Sequence, residues 1–147
     1  WLPNNFKWLM KKEIRKVPFV GTACKVAGHI FVDRSNPRAA LQSMEHIKGE
    51  LVDGISTVIF PEGTRTKTGE IGRFKQGAFK IAMDLNLPVV PITLNGFHEA
   101  MPARQLFVNP KPDTALHIGE PIDLSQFKDI NEAMTYVREK VQEGLKA

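Results

Sequence analysis

The chain has 147 residues, 42% apolar and 24% charged, which describes a globular domain with one hydrophobic core and excludes a disordered chain or a disulfide scaffold. Cys24 is the single cysteine, so no internal disulfide can form and a reducing compartment is expected. The net charge of +4 is carried by residues 1–16, where Lys7, Lys11, Lys12, Arg15 and Lys16 face only Glu13; residues 17–147 are neutral. A second basic island, Arg65, Lys67, Arg73, Lys75 and Lys80 against Glu62 and Glu70, lies at 62–80. Two such patches favour an anionic partner, whether phosphate, nucleic acid or an acidic membrane surface, although either alone reads as a solvated face. No apolar run approaches the ~18 residues of a membrane-spanning helix, and no signal-peptide pattern is present. The chain opens at Trp1 without an initiator Met, which reads as a piece of something longer.

In chain order, residues 6–10 (FKWLM) suit a short strand, and 11–27 read as helical pieces interrupted by Pro18 and Gly21. His29 to Asp33 reads as a strand. Ser35-Asn36-Pro37 is a helix-start signal, followed by an apolar stripe of Leu41, Met44, Ile47 and Leu51 that Asp53-Gly54 ends. Ser56 to Phe60 is a β-branched run of the kind buried in a sheet, and 66–72 is a polar loop. Phe74 to Leu85 carries a helical stripe of Ala78, Ile81, Ala82 and Leu85, with Asn86 as its stop. Leu87 to Leu94 reads as a strand in which Pro91 requires an edge or a bulge. Thr114 to Ile118 is a further strand. Asn131 suits the cap of a last helix with Met134, Val137, Val141 and Leu145 inward. Alternating strands and helices predict an α/β fold, a partly parallel central sheet flanked by helices, in a single domain over residues 1–147.

Three segments carry chemistry. Phe60-Pro61-Glu62-Gly63-Thr64-Arg65 follows a strand and delivers a carboxylate, a permissive glycine, a hydroxyl and a guanidinium into one turn. Arg65 offers a planar fork that matches a phosphate, and Gly63 lets backbone approach a ligand. A turn with a Glu62–Arg65 surface salt bridge is the plain alternative. Gly28 to Arg34 ends a strand in an Asp-Arg pair, where Arg34 is placed to meet the same anion or simply to pair with Asp33. Arg73-Phe74-Lys75-Gln76-Gly77 starts a helix, adding the Lys75 charge to a favourable dipole, or else is a solvated helix start. His29 and Asp33 share a strand face but stand ~13 Å apart, too far to be a catalytic pair. His46, His98 and His117 read as structural or surface histidines, and Cys24 as packing. Trp1, Phe6, Trp8 and Leu9 beside lysines suit a membrane interface or a buried strand with charged flanks. No zinc-ligand spacing, no P-loop and no nucleic-acid module is present.

Together these pieces resemble the lysophospholipid acyltransferase family, most closely its bacterial 1-acyl-sn-glycerol-3-phosphate acyltransferases. The family's second block looks like Gly28 to Arg34, its third, F-P-E-G-T-R, matches residues 60–65 at every position, and its fourth looks like Leu87-Pro88-Val89-Val90-Pro91-Ile92. The resemblance implies a glycerolipid-acyltransferase-like fold and transfer of a fatty acyl group from acyl-CoA or acyl-carrier protein to lysophosphatidic acid, giving phosphatidic acid in phospholipid biosynthesis. It implies that Arg34, Glu62, Gly63, Thr64 and Arg65 bind the glycerol phosphate and that Lys75 joins them. It implies no cofactor beyond the thioester co-substrate, no metal and no nucleic acid, and a place on the cytoplasmic side of an anionic membrane surface. Another glycerol-phosphate or lysophospholipid acceptor, or a non-catalytic phosphate- or membrane-binding domain, fits the same motifs. The family's general base and its orienting acid form an H-x-x-x-x-D block. None of the four histidines here has an Asp five residues on. That block and a membrane-associating segment are therefore expected upstream of Trp1, no catalytic residue is assigned within this chain, and the chain alone is expected to be inactive.

Overall fold

The structure is a computed structural model and describes residues 6–33, 37–51, 54–102 and 113–145. Trp1, Arg34, the Ser35-Asn36 helix start and Asp53 lie outside the described residues, as do the side chains of Leu41, Met44 and His46. The chain forms two compact units, Trp1–Phe60 and Pro61–Ala147.

In the first unit, β1 (Phe6–Lys11) is the central strand of a three-stranded parallel sheet. It pairs on one side with β2 (Ile30–Val32), Leu9 opposite Ile30, and on the other with β3 (Ser56–Val58), Trp8 opposite Val58. Parallel neighbours need crossovers, and helices supply them. A 3₁₀ turn (Lys12–Lys16) and α1 (Val20–Val26) connect β1 to β2, and α2 (Pro37–Glu50) connects β2 to β3. Leu9, Ile30, Val32 and Ile47 are buried, so the core lies between this sheet and α2. The Asp33 N–H donates to Ser43 Oγ at 3.2 Å, which ties the end of β2 to α2.

Gly21 does not interrupt the helical stretch as expected. It lies inside α1, buried against the preceding 3₁₀ turn so closely that a Cβ there would run into the Arg15 carbonyl oxygen. The run from Ser56 to Phe60 is shorter and more open than its β-branched composition suggests. β3 ends at Val58, pairs with β1 alone among the described residues, and leaves Phe60 half exposed.

In the second unit, α3 (Gln76–Asp84), α5 (Ile130–Gly144) and a 3₁₀ turn at Leu124–Gln126 enclose a core of Phe74, Phe79, Ala82, Ile122, Leu124, Ala133 and Val137. Asn86 ends α3 as expected. It adopts φ 52°, and the Leu87 N–H reaches back to the Ala82 carbonyl at 2.8 Å. β4 (Ile92–Asn95) pairs antiparallel with β5 (Ala115–Ile118), and α4 (Phe97–Ala100) follows β4.

The strand expected over Leu87–Leu94 forms only after Pro91. Proline cannot donate to a ladder, and Val89 makes just one isolated bridge, to Ile122. The last helix begins earlier than expected. Asp129 is its cap, accepting the N–H groups of Asn131 at 2.7 Å and Glu132 at 3.0 Å, and Leu145 at the other end is exposed. The α/β class with a parallel sheet is borne out.

Candidate functional site

β3 leads the chain to Phe60, and residues 61–75 then build the segment on which the sequence places most of its candidate residues. Gly63 sits at φ 72°, a left-handed conformation that side chains with a Cβ disfavour. Pro61 and Lys75 are joined directly, the Lys75 N–H donating to the Pro61 carbonyl at 2.9 Å. Lys75 is thus fixed beside the turn although ten or more residues intervene, and it precedes α3 in an extended conformation. The helix starts at Gln76, one turn's edge later than the sequence suggests.

Glu62 turns inward along the loop. Its Oε2 accepts the Gly72 N–H at 2.8 Å. No ion pair joins Glu62 to Arg65 among the described residues, so the plain salt-bridge alternative does not hold. Thr66 Oγ1 accepts the N–H groups of Thr68 at 3.3 Å and Gly69 at 3.1 Å, which folds the intervening polar loop on itself. Gly72 is held from its other side by α5. Arg138 Nε donates to the Gly72 carbonyl at 3.3 Å and Nη2 to the Ile71 carbonyl at 2.9 Å. The loop therefore has a frame of one carboxylate and one guanidinium.

With Glu62 engaged by its loop, Thr64, Arg65 and Lys75 remain exposed. Arg65 makes one long contact, Nη1 to the Pro102 carbonyl at 3.5 Å, which is weak by geometry. Neither Arg65 nor Lys75 is in an ion pair among the described residues. Lys75 shares an open depression of about 460 Å³ with Arg73, Phe74, Gln76 and Met134. A second of about 390 Å³ shares Arg73, Phe74 and Met134 and extends to Ile71, Gly72, Thr135 and Arg138. Arg73, a member of the basic island but not a candidate site residue, is the cation these depressions have in common. The Arg138 frame was missed because it joins residues 66 and 67 positions apart, which no local pattern reports.

The first unit's candidate pair separates as expected. His29 Nδ1 accepts the Trp8 N–H at 3.3 Å, and Asp33 pairs with Lys12 Nζ at 2.8 Å. That hydrogen bond and the charge of Asp33 raise the Lys12 ammonium above the usual lysine range. His98 lies against Gly69, and His117 lies beside Gly144 on the exposed strand β5. Phe6 and Trp8 stand edge to face at 5.7 Å and Trp8 stacks on Phe60 at 6.0 Å, so these aromatics belong to the sheet. Among the described residues, no three His, Cys, Asp or Glu side chains gather as metal ligands.

The family model described as Acyltransferase matches residues 1–95. A 1-acyl-sn-glycerol-3-phosphate acyltransferase of Cocos nucifera is 39% identical over 131 residues, which are 88% of this chain and 42% of that protein. One from Pseudomonas aeruginosa is 40% identical over 88 residues, covering 59% of this chain and 34% of that protein. The crystal structure of the 1-acyl-sn-glycerophosphate (LPA) acyltransferase PlsC from Thermotoga maritima superposes with a TM-score of 0.82 at 28% identity, covering 95% of this chain and 55% of that one. The chain spans less than half the length of the Cocos nucifera and Pseudomonas aeruginosa relatives.

Proposed function

The chain belongs to the acyltransferase family, and on that premise we propose that it serves to acylate 1-acyl-glycerol-3-phosphate, yielding phosphatidic acid. The observation that carries this reading is the pair Arg65 and Lys75. Both are exposed and outside any ion pair among the described residues, and the 2.9 Å hydrogen bond from the Lys75 N–H to the Pro61 carbonyl ties the backbone of Lys75 to the start of the segment that carries Arg65. Two cations at such a turn match a phosphate monoester, with the Arg65 fork contributing direction and Lys75 charge. Thr64 adds a hydroxyl, and Gly63 permits close backbone approach. Glu62 acts by holding the loop. Arg34 is proposed as a further cation on the acceptor.

The chemistry is the transfer of an acyl group from a thioester sulfur to a hydroxyl oxygen. A base takes the proton from the acceptor's free hydroxyl while its oxygen attacks the thioester carbonyl. The tetrahedral adduct then expels the thiolate of CoA or acyl-carrier protein, which is reprotonated. No histidine of this chain has an Asp five residues on, so the reading places the base and its acid upstream of Trp1. No cofactor, metal or nucleic acid is required. The product is an anionic bilayer lipid, which suits peripheral attachment to the cytoplasmic face of a membrane.

The test is phosphatidic acid formation from lysophosphatidic acid and acyl-CoA or acyl-carrier protein. It compares the 147-residue chain with one extended upstream through an H-x-x-x-x-D block. Turnover by the extended chain alone is the expected result. Equal turnover by both refutes the assignment of the base, and turnover by neither favours a non-catalytic phosphate-binding domain.

A further inference from the structure

The segment between β1 and β2 leaves a set of large apolar side chains in solvent. Phe19 is 90% exposed, Val26 84%, Val20 49% and Val17 46%. Within α1 only Gly21 is buried, where it meets the preceding 3₁₀ turn. The backbone reinforces this presentation. Phe19 is held at φ 61°, an unfavourable conformation for a bulky residue, with its ring almost wholly in water. Exposed apolar side chains gathered in one ten-residue stretch mark a surface that something covers.

We propose that Val17–Val26 is a docking surface for an anionic lipid leaflet, with Phe19 and Val26 as its inserting side chains. The charge around it selects that occupant. Lys11, Arg15, Lys16 and Lys25 are all exposed, and none has an ion-pair partner among the described residues, while Lys12 is engaged by Asp33. Lys25 stands next to Val26 inside the apolar set itself. Lysine is depleted from the cores of protein–protein interfaces, whereas alternating lysines and apolar side chains suit the headgroup boundary, where stems bury and ammonium groups meet lipid phosphates.

The sequence leaves the aromatics of residues 1–16 open between a membrane interface and a buried strand with charged flanks. The sheet uses Phe6 and Trp8 for its own packing, which leaves the crossover to make the contact. The inference rests on the proposed function only in that a phosphatidic acid product makes an anionic leaflet the working surface.

The experiment is flotation of the 147-residue chain with vesicles of phosphatidylcholine alone and of phosphatidylcholine mixed with phosphatidylglycerol, at low and high salt. Binding is expected to the mixed vesicles only and to disappear at high salt. Phe19→Glu and Val26→Glu are expected to weaken it at least ~10-fold, while Phe19→Leu and Leu116→Glu, the latter on exposed β5, retain it. All three acidic substitutions fall on exposed side chains, and circular dichroism checks that the fold persists. Unchanged binding by Phe19→Glu and Val26→Glu, or equal binding to neutral vesicles, overturns the proposal. So does a self-associating parent chain that Phe19→Glu makes monomeric without affecting vesicle binding, because a second copy then covers the surface.

A polarity-sensitive dye on Phe19→Cys, in a Cys24→Ser background of the upstream-extended chain, addresses cover by the protein itself. A blue shift on adding mixed vesicles is expected. A dye already buried without vesicles, and unshifted by them, contradicts the proposal. Flotation reads no turnover and no acceptor binding, so the acceptor reading can fail while the docking surface stands, and the reverse.

Discussion

Glu62 Oε2 accepts the Gly72 N–H at 2.8 Å, and this one hydrogen bond closes the loop that leads from the Gly63 turn toward α3. The carboxylate is thereby turned to the loop and leaves Thr64 and Arg65 outward. A Cβ at Gly72 would lie 2.7 Å from the same Glu62 oxygen, so a side chain there pushes the flexible end of Glu62 aside.

Gly72→Ala should therefore displace the Glu62 carboxylate. The acceptor is expected to bind several-fold more weakly, with global stability lowered by about 1 kcal/mol, the value of one such hydrogen bond. Glu62→Gln keeps an accepting oxygen and should lose less. Calorimetric titration with lysophosphatidic acid, beside thermal denaturation of both variants, makes the comparison. Equal affinity of Gly72→Ala and the parent chain would contradict the role given to the loop.

Arg138 holds the same loop from α5, through the carbonyls of Ile71 and Gly72. Arg138→Gln should cost about 1 kcal/mol of stability and speed amide hydrogen exchange in 66–72. Exchange in α5 away from that contact is expected to stay unchanged. Loss of protection throughout α5 would mean that the guanidinium supports the helix more than the loop.

Much of this arrangement was legible in the sequence, and the misses share a cause. The α3 stripe, the Asn86 stop, the β5 strand and the Met134–Val137–Val141 face of α5 follow local periodicity, and the structure contains them. Pro91 was read within a strand instead of ahead of it, and Asn131 was read as a cap that Asp129 supplies. The first follows from the missing proline N–H and the second from the Asp129 carboxylate accepting two helix N–H groups, choices between near neighbours that periodicity does not make. The candidate turn was visible as a motif, but the direction of Glu62 was not, because Gly72 N–H and the Arg138 guanidinium become neighbours only through the tertiary fold. The exposure of Phe19 and Val26 was likewise invisible, since composition cannot say which apolar residues remain uncovered.

Close packing of α5 on β4 gives a separate test of the second unit. Thr93 Oγ1 donates to the Val141 carbonyl at 2.8 Å, Asn95 Nδ2 donates to the Gly144 carbonyl at 2.9 Å, and a Cβ on Gly144 would approach Thr93 Oγ1 to 2.5 Å. Gly144→Ala gains up to about 1 kcal/mol in helix propensity, but overpacking costs about 1–3 kcal/mol. Urea unfolding is expected to show net destabilisation. A more stable variant would mean that the contact relaxes freely.

Asp123 provides a pH-dependent element. Its carboxylate accepts the Ser125 N–H at 2.9 Å, and hydrogen bonding to Ser125 lowers its pKa below the ordinary carboxylate value. A lowered folded pKa contributes stability that is fully present above the unfolded value of ~3.9 and is lost as pH falls through the folded one. Asp123→Asn should therefore be less stable than the parent near neutrality, with the gap closing on acidification below about pH 4. A gap of constant size across that range would remove the titration from the account.

The central claim is that Arg65 and Lys75 hold the acceptor's phosphate. It is tested most directly by titrating the 147-residue chain with a soluble short-chain lysophosphatidic acid and with the corresponding monoacylglycerol, beside Arg65→Ala and Lys75→Ala. The account predicts that the parent prefers the phosphate ester. It predicts that Arg65→Ala weakens binding about tenfold or more, which is about 1.4 kcal/mol, that Lys75→Ala weakens it less, and that monoacylglycerol binding is unaffected by either. Parent-like affinity of Arg65→Ala for lysophosphatidic acid, or a parent chain that does not distinguish the two ligands, would contradict it.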